Sequence, residues 1–213
     1  MEFVLKFLIF APPLLVAVIC HEVAHGWVAE KLGDPTARRL GRISLNPLVH
    51  IDLKRTILMP ALLVLLHSPV IFGGAKPVPV NPLNFRNPRR GMAYVAMAGP
   101  IVNFILVGLF FLIFKLLPPH AGPESPRGIA LPLISLWVRH SIFINLILGL
   151  FNLCPVPPLD GGRIAVGFLP VGMARIIAKL EPYGLLIVFG LLISGSLETV
   201  LTPVLEYTLS FIQ

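Results

Sequence analysis

The chain has 213 residues, 56% of them hydrophobic and 13% charged, with a mean hydropathy of +0.87. An average soluble domain carries about 25% charged residues, so the composition excludes a disordered chain and argues against an ordinary soluble domain. The net charge of +7 fits basic loops that hold membrane orientation better than a nucleic-acid surface. The expected fold class is an all-α polytopic membrane protein, a single unit over 1–213 with about four transmembrane helices, a re-entrant segment and a short edge strand or hairpin. Cys20 and Cys154 are the only cysteines, and two do not make a disulfide framework.

In chain order, the first span is expected over residues 4–29. A helix of that length crosses a bilayer core of about 30 Å, and Pro12 and Pro13 would kink it near its start. No small-residue cleavage site follows, so it does not read as a signal peptide. Residues 31–56 are polar and basic, with loop signals at Gly33-Asp34-Pro35 and Asn46-Pro47. Residues 57–72 are apolar but short and interrupted by Pro60, His67 and Pro69, which suits a re-entrant segment better than a span. Lys76, Pro77, Val78, Pro79 and Val80 read as an extended edge strand. Residues 92–117 and 132–152 are the next two spans. Between the third span and an amphipathic stretch over 163–180 lies LCPVPPLDGG, which cannot be regular helix. A last span is expected over about 183–204.

The sharpest feature is His21-Glu22-Val23-Ala24-His25, deep in the first span. Ionisable residues there are costly and functional by default. Histidines at i and i+4 share one helix face, so both imidazoles can reach one metal ion. Glu22 can reach a water on that metal without being a ligand, which is the zinc-hydrolase arrangement. Zinc catalysis usually needs a third protein ligand and one open position. Asp160 is the preferred third ligand, because it sits in broken backbone after an apolar span, where such backbone lines a cavity or is buried in protein. His50 is the rival, and Cys20 or Cys154 could also approach the metal.

Orientation can be tested by charge. His21 and His25 lie toward the C-terminal end of one span, and Asp160 follows the C-terminal end of another. They can meet only if both spans run the same way, hence only if 57–72 does not cross. In that topology lysine and arginine divide 13 against 4; with 57–72 crossing they divide 9 against 8. The positive-inside rule favours the first, with the metal site opening toward the cytoplasm.

HEVAH in the first span, Ala98-Gly99-Pro100-Ile101-Val102-Asn103 in the middle span and NLCPVPPLDGG after the third resemble the site-2 protease family of intramembrane zinc metalloproteases, over about residues 4–165. The resemblance implies one zinc held by His21, His25 and Asp160, with Glu22 activating its water and Asn152 holding substrate or oxyanion. It implies the short, minimal branch without PDZ or CBS domains, and the compactness of the chain points to a prokaryotic inner membrane. Its substrate would be a membrane protein with a transmembrane segment, and a separate adaptor or regulator is compatible with it. Peptide-bond hydrolysis needs an extended substrate, which residues 74–80 could hold by strand addition. Gly99 and Asn103, four apart, are expected to serve helix packing. Two other classes stay open: a catalytically inactive membrane adaptor or chaperone, and a metal transporter with intramembrane ion sites.

Overall fold

The structure is a computed structural model and describes residues 2–59, 62, 65–66, 73–118 and 130–211. Among these residues the regular structure is helical, with no strand. Helix α1 spans Glu2–Lys31 and carries Pro12 and Pro13. A single helical turn, α2, covers Thr36–Arg39. Helix α3 covers Pro88–Leu116. Its start is set by Asn87, whose side chain accepts from the Arg90 N–H, and by Pro88 at the first helical position. Helix α4 covers Ala130–Asn152. After the broken stretch come α5 (Asp160–Phe168), α6 (Val171–Lys179), α7 (Gly184–Ile193) and α8 (Ser196–Leu209).

Among the described residues, four stretches are long and apolar enough to cross a membrane: Leu8–Lys31, Pro88–Leu116, Leu131–Asn152 and Val171–Ile193. The first three follow the sequence expectation. The fourth does not. Gly195 has φ +70°, in the left-handed region that glycine tolerates, and it breaks the helix inside 183–204. The apolar stretch instead runs from α6 through the turn at Glu181–Tyr183 into α7. The segment 57–72 falls largely outside the described residues, and its described beginning is a π-helical turn at Leu53–Leu58. Residues 73–80 carry no regular secondary structure and pair in no ladder, so the expected edge strand does not form as a strand.

Helix α3 is the centre of the molecule, packed against α1, α4 and α5, and α1 also packs on α4. Its buried face is mostly small residues, Gly91, Ala93, Ala96, Ala98, Gly99 and Pro100, with Val95 and Asn103 among them. Small residues let helices approach closely in a membrane, where apolar burial gives little drive. Large apolar side chains such as Leu14, Ile105, Leu112 and Leu186 point outward, as lipid contact requires. The interior instead holds polar groups: His21, Asn103, Asn145 and Asp160 are all buried.

Candidate metal centre

Two helices supply the centre and a third, α3, backs it. His21 and His25 stand one turn apart on α1, and Asp160 opens α5, where the positive end of the helix dipole favours a carboxylate. Asp160 Oδ2 lies 3.0 Å from His21 Nε2 and 3.3 Å from His25 Nε2. One ligand atom from each of the three residues falls within 4.8 Å of the others. Sequence spacing alone paired the histidines; the fold adds Asp160, 135 residues beyond His25.

The close approach depends on glycine. A Cβ at position 99 of α3 would stand 2.5 Å from both Cε1 and Nε2 of His21 and 2.6 Å from His25 Cε1. Gly99 is therefore the floor on which both imidazoles lie, more than the packing position its sequence suggests. Gly161 and Gly162 act likewise for α5, since a Cβ on either would collide with the backbone of 153–157. Only Gly-Gly after Asp160 lets that helix start against the broken stretch.

Both imidazoles are oriented from behind. His25 Nδ1 donates to the backbone oxygen of Val95 at 2.7 Å. His21 Nδ1 donates to Asn103 Oδ1 at 2.6 Å. Asn103 in turn donates through Nδ2 to Asn145 Oδ1 at 2.8 Å and to Ala17 O at 3.3 Å. Asn145 donates to Ser141 O at 2.8 Å. Such bonds contribute only about 0.6 kcal/mol each to helix association in a membrane, so orientation of the ring is their larger effect. Asn103 thus contacts a candidate ligand directly. The signal available in sequence was an amide inside an apolar span.

This arrangement is a test of fit for a cation. With Nδ1 protonated on both rings, both Nε2 atoms present lone pairs. They face a carboxylate oxygen, Asp160 Oδ2, which is buried and has no hydrogen-bond partner among the described residues. Three acceptors converge with no donor among them, so the donor set fits a cation. Two imidazoles and a carboxylate are a zinc donor set.

Glu22 faces the same cavity, about 550 Å³ in volume, whose walls also include Asn152, Val78 and Arg163. Its Oε2 accepts the Val78 N–H at 2.9 Å. Gly26 makes this contact possible, because the Val78 side chain already sits 3.0 Å from where a Cβ would be. The segment around Val78 is held in place at both ends. Arg42, buried, donates to Lys76 O at 2.6 Å, and Lys76 N–H reaches His50 O at 2.8 Å. Asp34, fully buried, accepts from Thr36 N–H and Oγ1 and from Asn84 Nδ2 through Oδ1, and from Asn81 N–H through Oδ2. Burial pushes the Asp34 carboxyl up, but these hydrogen bonds outweigh it and hold it below the usual range. Pro77 and Pro79 have no N–H, so no donor between Lys76 and Val80 remains beyond the one given to Glu22.

Asn152 lines the cavity and its Nδ2 donates to Leu148 O at 2.9 Å. His50 is placed elsewhere: its Nε2 binds Ser44 O at 2.8 Å, and it does not join the three-residue cluster. Cys20 and Cys154 are free and also outside that cluster. Burial pushes the Cys154 thiol up, away from the thiolate a metal would need. His140 donates to Leu136 O within its own helix. His67 and His120 lie outside the described residues.

The comparisons with known proteins agree with this geometry. The model of peptidase family M50 matches residues 129–194. A Bacillus subtilis (strain 168) protein named "Putative zinc metalloprotease YwhC" is 37% identical over 196 residues, covering 91% of this chain and 84% of the relative. A Mycolicibacterium smegmatis protein, "Putative zinc metalloprotease Rip2", is 27% identical over 200 residues, covering 93% and 71%. "Zinc metalloprotease MJ0392" of Methanocaldococcus jannaschii is 28% identical over 151 residues, covering 71% of this chain but 31% of its own length. No solved structure matches the chain. With four helices able to span a membrane, three metal-capable side chains meeting among them and a relative alike over most of both lengths, the chain is an integral membrane protein that belongs to peptidase family M50, the site-2 protease family of metalloproteases.

Proposed function

We propose that the protein is an intramembrane zinc endopeptidase that hydrolyses a peptide bond within or beside a transmembrane segment of a substrate protein. The observation that carries this is the convergence of His21 Nε2, His25 Nε2 and Asp160 Oδ2 as unpartnered acceptors, with the Glu22 carboxylate on the same cavity. His21, His25 and Asp160 are the three ligands of one zinc. When bound, zinc supplies a Lewis acid that lowers the pKa of water toward about 7 and polarises a carbonyl.

The chain's own residues do the rest. Glu22 takes the proton of the attacking water and returns it to the leaving amine, so the peptide C–N bond breaks as a C–O bond forms. The Val78 N–H fixes Oε2 of Glu22 and leaves Oε1 for that proton. Asn152 offers its amide to the substrate carbonyl from the cavity wall. Of the segment Lys76–Val80, Pro77, Val78 and Val80 line the cavity, and the segment holds the substrate extended. Arg42 takes the carbonyls of Lys76 and Pro77, so the segment binds substrate N–H groups through the carbonyls that follow. The partners are the bilayer and a membrane-protein substrate, with the site opening to the cytoplasmic side of a prokaryotic inner membrane, the side that the excess of lysine and arginine outside the first three spans favours. A separate adaptor or regulator can present the substrate.

Glu22→Gln tests this. In detergent, with a panel of single-pass membrane peptides as substrates, cleavage is expected to fall by about 10²–10⁴-fold while zinc stays bound. Unchanged cleavage would contradict the role of Glu22. Lost zinc would make Glu22 a ligand. A metal transporter would instead carry zinc into vesicles containing the wild-type protein, and an adaptor would retain its biological effect with Glu22→Gln.

A further inference from the structure

We propose that Asn145, whose hydrogen bonds run to Asn103 and Ser141 and not to a metal ligand, is a positioning residue that decides which nitrogen of His21 carries the ring proton, and so keeps Nε2 free to bind the metal. This deepens the proposed metal site and rests on it.

A side-chain amide can turn over and exchange its oxygen for its nitrogen, but a backbone carbonyl can only accept. Two such carbonyls fix the polarity here. Ser141 O, 2.8 Å from Asn145, must meet an N–H, so Asn145 turns Nδ2 toward it and Oδ1 toward Asn103. Oδ1 then demands an N–H from Asn103, at 2.8 Å, and Ala17 O at 3.3 Å asks the same of the second hydrogen. What remains of Asn103 for His21 is Oδ1, at 2.6 Å from Nδ1. An acceptor at Nδ1 places the ring proton there and leaves the lone pair on Nε2, which points at Asp160.

An inverted Asn103 would have the opposite effect. It would present N–H to Nδ1, move the ring proton to Nε2 and put a hydrogen where a ligand lone pair is needed. Both amides are fully buried, so water cannot substitute for a missing partner. His25 needs no such chain, because its Nδ1 is held by the Val95 carbonyl itself. One ligand is therefore fixed by backbone, the other by side chains of α3 and α4.

The test uses the full chain purified in detergent and Zn²⁺ alone, competed against a chromophoric chelator. Asn103→Leu is expected to weaken zinc binding about 10–100-fold, as loss of an outer-shell partner does. Asn145→Leu is expected to weaken it about tenfold, at the low end of that range. The double variant is expected to bind no more weakly than Asn103→Leu alone, since Asn145 acts through Asn103. Imidazole ¹⁵N shifts of the metal-free chain carrying Asp160→Ala, which removes the carboxylate 3.0 Å from His21 Nε2, give the second readout. In that background Asn145→Leu is expected to move His21 away from the Nδ1-protonated form while His25 keeps it.

Wild-type zinc affinity and an unchanged His21 signal in Asn145→Leu would overturn the proposal. So would an additive double variant, or a change that reached His25 equally, which marks loosened packing. Should leucine at 145 prevent folding, Asn145→Ala removes the same bonds without added bulk and carries the same expectations. A wild-type chain that bound no zinc would overturn the metalloprotease function instead, while the imidazole signals would still test the amide chain.

Discussion

The two sides of the cavity are built by different means. On the membrane side, the candidate ligands are aimed by helix–helix contact: Gly99 floors both imidazoles, and Asn103 and Val95 hold them from behind. On the loop side, Glu22 is aimed by the backbone of an irregular segment, which Arg42 and Asp34 anchor to the end of α1. Buried helices fix an ion site tightly because nothing there can be replaced by water. A loop can shift, and a substrate must be able to enter beside it. On the proposed function the difference suits two tasks: buried helices keep the ligand geometry constant, while the anchored loop forms the wall beside Glu22.

Three substitutions would break or sharpen that contrast. Gly99→Ala should strike the membrane side hardest. Its Cβ would overlap both imidazoles, so zinc affinity is expected to fall about 10–100-fold, with overpacking costing about 1–3 kcal/mol of stability. Chelator competition and thermal unfolding measure the two. Wild-type zinc affinity would show that the rings are not pressed on α3.

Val78→Pro should strike the loop side alone. Proline at 78 puts a ring CH2 in place of the N–H that Glu22 accepts, and it also replaces the buried isopropyl group beside Gly26. About a tenfold fall in kcat is expected, at the low end of what general-base alignment is worth, with KM and zinc content unchanged. Val78→Ala keeps the N–H and should keep kcat. Equal losses in both variants would make the side chain, rather than the amide, responsible.

The smallest effect is expected at Asp34, farthest from the chemistry. Hydrogen bonds hold its folded carboxyl below the ordinary value. Its contribution is therefore present above the unfolded pKa of about 4 and lost as pH falls through the lower folded one. Acid unfolding of the wild type should show this loss, and Asp34→Ala should remove about 1–3 kcal/mol at neutral pH and flatten the acid limb. An acid limb of the same steepness in the variant would place the titrating group elsewhere.

Much of this was legible in the sequence, for identifiable reasons. Helical periodicity puts His21 and His25 on one face whatever surrounds them. Asp160 stood out because a charge in broken backbone after an apolar span must face something polar. Three spans followed from length and hydropathy. The fourth was misplaced because Gly195 ends α7 by its backbone conformation, and hydropathy over 183–204 does not register a left-handed glycine. Asn145 was hidden inside an apolar run, and its partner lies on another helix. The link from Val78 to Glu22 uses a backbone N–H, which every non-proline residue has. Only the proline on either side of Val78 hints that this one amide is special.

The central claim is that α1 and α5 share one metal ion, and zinc content tests it most directly without any substrate. The purified wild-type chain is expected to hold about one zinc, and Asp160→Ala to lose it or bind it far more weakly. Wild-type zinc content and affinity in Asp160→Ala would contradict the account and move the third ligand away from α5.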